Sequence, residues 1–497
     1  MIWLFSTLLT AQAGEFMDIW ITTAFEDTNV LAGPDLYSPS ANFVQRGNNT
    51  FFENYERRVT DDISRSNLVL YNKSEGFNPN WWTESAFILR YTPFLNPDMT
   101  QPGTNIRDDG SYVRIVRRLK GDGDGSAHNI SLTGYAVDSG RFRLGYSYDL
   151  TWGSRSIFSF DPGAVPGVRL QYRKKNNYAF LGAKTAVGDY ITPDTRQPRN
   201  QSYYGLLGGA GISPNPNLKL EVGTGWFQQD QIKNVPDTDS PLYGEIIEAV
   251  GYTGQISFKT RSDMNFFQSA DLRLYRNDPN FGRDTYISHS ELDGFGAIIQ
   301  AEINVLQHNL LDPGDEAATQ TVIETGVAGD IQTSILYNTT QVNIDLVYKD
   351  IEYILFNVPG LTSGVAMSAD MATTPQLYGR FNLAHHIPKR HMTPSLGLGL
   401  MQPATYETDG GTFVQYDAYN KEQVPEGQLP TAILSSVLGL NVDVSQSTVV
   451  TGEILYTMDN NLSDFVKNED GLGGKRVSAP INERNALGFN LMMRSRF

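Results

Sequence analysis

Apolar and polar residues alternate one for one through most of this chain. A period of two admits strands with one apolar and one polar face, and little else. In residues 485–497, NALGFNLMMRSRF, Leu487, Phe489, Leu491, Met493 and Phe497 share one parity, interrupted by Ser495. Gly488, Asn490, Arg494 and Arg496 take the other, with Met492 the exception. The pattern recurs. In 217–227, Leu218, Leu220, Val222, Thr224 and Trp226 oppose Lys219 and Glu221. Phe295, Ala297, Ile299, Ala301, Ile303 and Val305 oppose Gln300, Glu302 and Asn304; Val342, Ile344, Leu346 and Tyr348 oppose Asn343, Asp345 and Lys349. Phe87, Leu89 and Tyr91 oppose Arg90 and Thr92. In 140–152, Phe142, Leu144, Tyr146, Tyr148, Leu150 and Trp152 oppose Arg141, Arg143, Ser147, Asp149 and Thr151, which predicts another strand. Such strands build soluble sandwiches and small barrels, or a barrel turned inside out with lipid on its apolar face.

Composition bears on that choice. A soluble chain of 497 residues would divide into two to four domains at roughly 100–200 residues each, and no shift in composition marks a boundary. The absence of cysteine removes disulfide scaffolds and thiolate metal sites. A net charge of −16 argues against nucleic acid as a partner. Aromatic residues make up 11% of a chain whose mean hydropathy is only −0.33. Beyond the start there is no apolar run of about 18 residues that could form a transmembrane helix. At the start, Ile2 to Leu9 is apolar and Ala11-Gln12-Ala13 fits a small-x-small cleavage site, so residues 1–13 read as a signal peptide and 14–497 as the mature barrel. The positive charge that usually leads such a segment is missing, so either the true start lies upstream or the segment is degenerate.

Short and long connections alternate between the strands. Residues 138–140, 173–177, 213–217, 260–264 and 443–447 carry Gly, Asn, Pro, Asp or Ser as tight turns require. Residues 153–166, 188–201, 228–244, 277–292, 402–430 and 459–482 read as long polar loops. Turns on one side and loops on the other give a single antiparallel transmembrane β-barrel, with turns periplasmic and loops extracellular. Both termini on the turn side require an even strand number. At roughly 25 residues per strand with its loop, that number is about 18–20. Segments 16–24, 50–59 and a split of 319–338 are the least certain strands, and 93–110 fits worst, since parity places this long segment on the turn side.

The last strand has to pair with the first, because an open edge in lipid leaves backbone groups unpaired. Terminal Phe497, with Phe489, Leu491 and Met493 before it, resembles the C-terminal signature of bacterial outer-membrane β-barrel proteins. The resemblance implies residence in the bacterial outer membrane, contact with its lipid, and recognition by the barrel-assembly machinery. The class includes porins and exopolysaccharide-export barrels, and no motif selects one family.

No catalytic motif stands out: there is no G-x-S-x-G, H-E-x-x-H or P-loop. His385, His386 and His391 in HHIPKRH read as a turn rather than a metal site. KGDGDGS, 120–126, reads as a flexible loop rather than a calcium site, and His289-Ser290 are neighbours on a polar loop, not a catalytic pair. Neither an enzyme nor a cofactor is expected. The polar parity is more informative. Arg90, Arg114, Arg118, Arg141, Arg143, Arg169, Arg173 and Lys184 cluster in the first half, and Glu221, Glu302, Asp345 and Glu453 follow in the second. As pore-lining residues they would make one wall basic and the other more acidic, a transverse field that orders water and screens solutes. Two functions are open: a porin-like channel for passive passage of hydrophilic solutes, favouring anions, or an export barrel for an exopolysaccharide working with periplasmic partners.

Overall fold

A computed structural model describes residues 17–27, 29–31, 64–92, 105–119, 128–147, 150–158, 163–193, 195–232, 235, 239–264, 266, 294–356, 366–368, 370–416, 421–468 and 473–497. The segments 1–13, 50–59, 120–126, 277–292 and His289-Ser290 lie outside the described residues.

The alternating segments pair edge to edge into a closed antiparallel barrel of 18 strands. In chain order they are β1 Asp18–Asp27, β2 Ser64–Glu75, β3 Trp81–Thr92 and β4, which comes in two pieces, Asn105–Asp108 and Tyr112–Arg118. Next come β5 His128–Tyr135, β6 Gly167–Lys174, β7 Asn177–Ile191, β8 Pro198–Asn215 and β9 Leu218–Gln231. They are followed by β10 Ile246–Lys259, β11 Phe295–Leu311, β12 Thr321–Tyr337, β13 Thr340–Lys349 and β14 Gln376–His385. The last four are β15 Met392–Gln402, β16 Ile433–Ser445, β17 Thr448–Met458 and β18 Asn485–Arg496. Each strand pairs with its sequence neighbour, and β18 closes on β1 from Trp20↔Arg496 to Asp27↔Phe489. Ile19 and Phe497 exchange backbone hydrogen bonds of 3.1 and 2.8 Å, which completes the ring. Closure leaves no strand edge unpaired, as a barrel in lipid requires.

The period of two decides which face each side chain takes. On β9 Val222 is 63% exposed and Glu221 5%; on β11 Ile303 is 54% exposed and Glu302 5%. The outside is thus a belt of Leu, Ile, Val, Phe and Tyr, and the inside is polar. This is the inverted surface of an outer-membrane-type β-barrel rather than that of a soluble one. The expected all-β class, single barrel and even strand count hold. Within 319–338 there is one unbroken strand, β12, from Thr321 to Tyr337, and 18–24 of the expected 16–24 lies in β1.

Several boundaries differ from the sequence reading. At one end the strands join through tight connections such as 175–176, 216–217, 338–339 and 446–447. At the other end run 28–63, 136–166, 350–375, 403–432 and 459–484. The connection 93–104 belongs to this long-loop end, which removes the parity conflict at 93–110. Conversely, 260–294, which contains 277–292, joins β10 to β11 at the tight-turn end. Residues 188–201 are mostly strand, since β7 runs to Ile191 and β8 starts at Pro198. The expected turn at 138–140 is there, Phe142 N donating to Ser139 O at 2.9 Å, but it does not link two barrel strands; 140–152 is no strand, and both fall in the connection 136–166 between β5 and β6. Its glycines explain why. Gly145 and Gly153 take φ of +96° and +80°, which a continuous strand cannot hold.

Candidate functional site: a lumen narrowed from within

Residues 136–147 and 150–158 turn into the barrel and lie along the inner wall of β6 to β11. The segment folds on itself through Leu144 N to Trp152 O at 2.8 Å and Trp152 N to Leu144 O at 3.1 Å. Its alternate apolar residues, predicted to face lipid, face the inner wall instead: Phe142, Leu144, Tyr146, Leu150 and Trp152 are all buried. Glycines in the wall make the room. A Cβ on Gly182 would meet the Phe142 ring at 2.4 Å, one on Gly251 would meet Trp152 at 2.4 Å, and one on Gly223 would meet Leu144 at 3.0 Å.

Three polar anchors fix the segment. The first is Asp109, delivered by a break in β4. Residues 109–111 leave the ladder while Ser111 stands in for it, its Oγ accepting from Ile88 N at 2.8 Å. The Asp109 carboxylate takes Arg90 from the wall at 3.0 Å and Arg141 from the inserted segment at 3.1 Å. Arg141 Nε also donates to Asp109 O at 2.7 Å. The second anchor is Lys184 on β7, whose Nζ donates to Ser139 O and Gly153 O, each at 2.7 Å. Phe142 lies beside it, with the Arg169 guanidinium 5.5 Å and the Lys184 ammonium 5.4 Å from its ring centre. The third is Glu302 on β11. Its carboxylate accepts from Tyr146 N and Ser147 N at 2.9 Å each, from Asn304 Nδ2 at 2.9 Å and from Gln255 Nε2 at 3.3 Å. Leu150 O accepts from Asn304 Nδ2 at 2.8 Å and from the hydroxyl of Tyr353. Tyr353 comes from the helix Ile351–Phe356 in the 350–375 connection, seated where Gly326 leaves space on β12. That helix is capped by Asp350, which accepts from Tyr353 N at 2.8 Å and Val327 N.

The expected pore-lining residues therefore fall into separate groups. Arg90, Arg114, Arg118, Arg169, Arg173 and Lys184 occupy the inward parity of β3, β4, β6 and β7. Arg141 and Arg143 are interior but ride on the inserted segment, not on a strand. Arg114 pairs with Glu84 at 3.2 Å, and Arg118, near the tight-turn end, with Glu75 at 3.5 Å. Glu221 pairs with Lys219 on its own strand at 3.2 Å. Asp345 pairs with Arg380 across β13 and β14, and Glu453 accepts from Asn490 Nδ2 at 3.1 Å. On β2 and β15 to β18 the inward face also carries Asn67, Ser395, Ser435, Asn441, Thr451 and Asn490, with the cation Arg494 among them.

The sequence reading missed Glu84, Asp109, Asn304 and Tyr353. The signal within reach was the glycines. Gly205, Gly209, Gly223, Gly225 and Gly251 fall on inward positions of β8 to β10, where a lumen wall otherwise carries polar side chains. Inward glycine in neighbouring strands means that something presses on the wall. At the turn 386–391, His385 and His386 point to opposite faces, bonded to Thr340 Oγ1 at 2.8 Å and Thr393 Oγ1 at 3.0 Å; His391 takes φ of 51°.

No family model matches the chain, and no curated protein matches it. Among solved structures it is similar to Wzi of Escherichia coli, described as a carbohydrate-binding outer-membrane β-barrel involved in group 1 capsule assembly: 12% identity, 99% of this chain, 87% of that one, TM-score 0.39. It is also similar to OpdK of Pseudomonas aeruginosa, solved with vanillate, at 10% identity over 97% and 98% of the two chains with a TM-score of 0.43. The outer-membrane channel DcaP of Acinetobacter baumannii gives 9%, 97%, 96% and 0.38. Likeness at this level fixes neither solute nor activity.

Proposed function

We propose that the protein is a passive channel for small hydrophilic solutes in a bacterial outer membrane, with residues 136–158 setting its narrowest section. One observation carries this reading: a closed barrel with a polar interior holds an inserted segment tied to its wall by charged groups. An apolar outside needs lipid, and a polar inside needs water or solute. Asn67 and Gln332, both buried on the inward face, keep side-chain donors and acceptors without a partner among the described residues, so they suit a wet lumen. An export barrel for a polymer calls for an unobstructed bore, and the inserted segment argues against it.

The charge balance around the segment favours anions. Arg90, Arg141, Arg143, Arg155, Arg169 and Lys184 lie on or beside the segment, against the carboxylates of Asp109, Asp138, Glu302 and Asp330. Like charges in a low-dielectric constriction raise the local concentration of the opposite ion. The purified barrel in planar bilayers is expected to conduct and, in a salt gradient, to show a reversal potential on the anion-preferring side. Arg143→Gln should move that potential toward cations. A non-conducting barrel would refute the channel, and a cation-preferring one would refute the charge argument.

A further inference from the structure

Charge on the lipid-facing side of a barrel is unfavourable, so each instance asks for a reason. The outward parity of the described barrel strands carries two lysine or arginine side chains, Arg117 on β4 and Lys174 on β6. Both are exposed, and both sit at the tight-turn end. They are close together. Trp81 on β3 is in register with Arg117, Arg117 with Ile130 on β5, and Ile130 with Tyr172 on β6. His128 is in register with Lys174. From strand spacing, Arg117 and Lys174 are about 10 Å apart across the sheet and about 7 Å along it, within reach of a common anion for two long side chains.

The setting is amphipathic. The Arg117 guanidinium lies 5.5 Å from the Trp81 ring centre, and Trp81 is 39% exposed. His128 Nε2 and Tyr172 Oη are 3.2 Å apart with their rings edge-on at 5.7 Å. Away from the turn the same faces become apolar, through Ile115, Val113, Leu132 and Leu170, each more than 40% exposed. Among the described residues no carboxylate shares this outward patch. Asp27, Asp108, Asp189 and Glu248, also on outward parity, lie toward the long-loop end.

We infer that the outward face of β3 to β6 at the tight-turn end binds an anionic phospholipid of the inner leaflet, its phosphate held between Arg117 and Lys174. Trp81 and Tyr172 flank the glycerol region, and the acyl chains run up the apolar strip. In a chain with net charge −16, two outward cations beside interfacial aromatics complement a phosphate at that depth. The inference rests on the proposed outer-membrane channel and on the orientation expected from the sequence, with the tight turns periplasmic.

The test is native mass spectrometry of the full-length barrel, carried through detergent exchange with phosphatidylglycerol or phosphatidylethanolamine of matched chains. Wild type is expected to retain phosphatidylglycerol over phosphatidylethanolamine. Arg117→Gln with Lys174→Gln should lower phosphatidylglycerol retention roughly tenfold or more, as loss of two cations near an anionic surface implies. Phosphatidylethanolamine retention should not change, and Arg117→Lys with Lys174→Arg should keep the preference while confirming that these positions tolerate exchange. Equal retention of the two lipids by wild type, equal retention by wild type and the glutamine variant, or displacement by millimolar inorganic phosphate would overturn the inference. A barrel that conducts without lipid preference overturns this inference alone. One that retains the lipid and does not conduct overturns the channel alone.

Discussion

Asp109 ties the inserted segment to the wall through two arginines. One carboxylate neutralises Arg90 from the wall and Arg141 from the inserted segment, and Arg141 is only 4% exposed. Removing a partner from a buried pair leaves an uncompensated charge, typically at about 3–5 kcal/mol. Asp109→Ala is therefore expected to lower the unfolding midpoint in urea and to raise single-channel conductance as the segment loosens. A variant with wild-type stability and conductance would show that the pair is not an anchor. Glu302→Gln is subtler. One oxygen of Glu302 accepts from both Tyr146 N and Ser147 N, so the amide oxygen can keep both bonds but loses the charge that strengthens them. The expected result is a noisier open channel with little change in stability, since hydrogen bonds to a charged group are worth about 1.5–3 kcal/mol and part is retained. Arg141→Ala, which a strand-wall reading would treat as a simple change of lumen charge, should instead act like Asp109→Ala.

At the scale of elements, the strands were legible and the inserted segment was not. Alternation reports that a chain has two unlike sides; it does not report what lies on each. On β9 and β11 the apolar side is the exposed outside of the barrel, whereas in 140–152 the same pattern puts Phe142 and Trp152 against Gly182 and Gly251 of the inner wall. Turn composition misled in a similar way, because polar, glycine-containing stretches occur at both ends of the barrel and 260–294 joins strands at the end with the shorter connections. Asp109 escaped notice because its role depends on a break in β4 that only its pairing with β3 reveals. One loop element has a titratable support. Burial pushes the Asp350 carboxyl up to about 6, the nearby Glu352 and Glu324 adding to the effect, while hydrogen bonds from Tyr353 N and Val327 N oppose it. A folded value above the unfolded one of about 3.9 means that the native packing of this helix is favoured at low pH and weakens as pH rises toward 6, levelling off above. Hydrogen-exchange protection factors at residues 351–356, corrected for the base-catalysed intrinsic rate, should accordingly be higher at pH 4.5 than at pH 7.5. Asp350→Asn, which keeps an acceptor and cannot ionise, should hold the high protection at both; an unchanged pH response of the protection factors in that variant would place the titrating group elsewhere.

At the scale of the whole molecule, the topology assigns each connection to one of the two ends of the barrel. The chain has no cysteine, so single substitutions report without background. A maleimide that cannot cross the outer membrane should label Gly410→Cys, in an exposed hairpin of the 403–432 connection, on intact cells. It should reach Gln446→Cys, in the exposed turn between β16 and β17, only after the envelope is opened. The reverse pattern would invert the barrel, and with it the leaflet assigned to Arg117 and Lys174.

The closure between β1 and β18 has a further consequence, for the order in which the chain is read. Arg496 pairs with Asp18 at 2.9 Å, and Phe497 exchanges backbone hydrogen bonds with Ile19, so the two ends of the ring lie side by side. A short linker from Phe497 to residue 17 would make the sequence circular, and opening it at the 446–447 turn would give a circular permutant with every strand pair intact. Its new C-terminal strand would present Leu438, Leu440, Val442 and Val444 outward, with no aromatic at its end. Such a permutant and the parent should both fold unaided into vesicles in vitro, yet the permutant should accumulate unassembled in cells until a terminal phenylalanine is appended. Equal assembly of both permutants in cells would mean that the closing strand alone, not its last residue, carries the address.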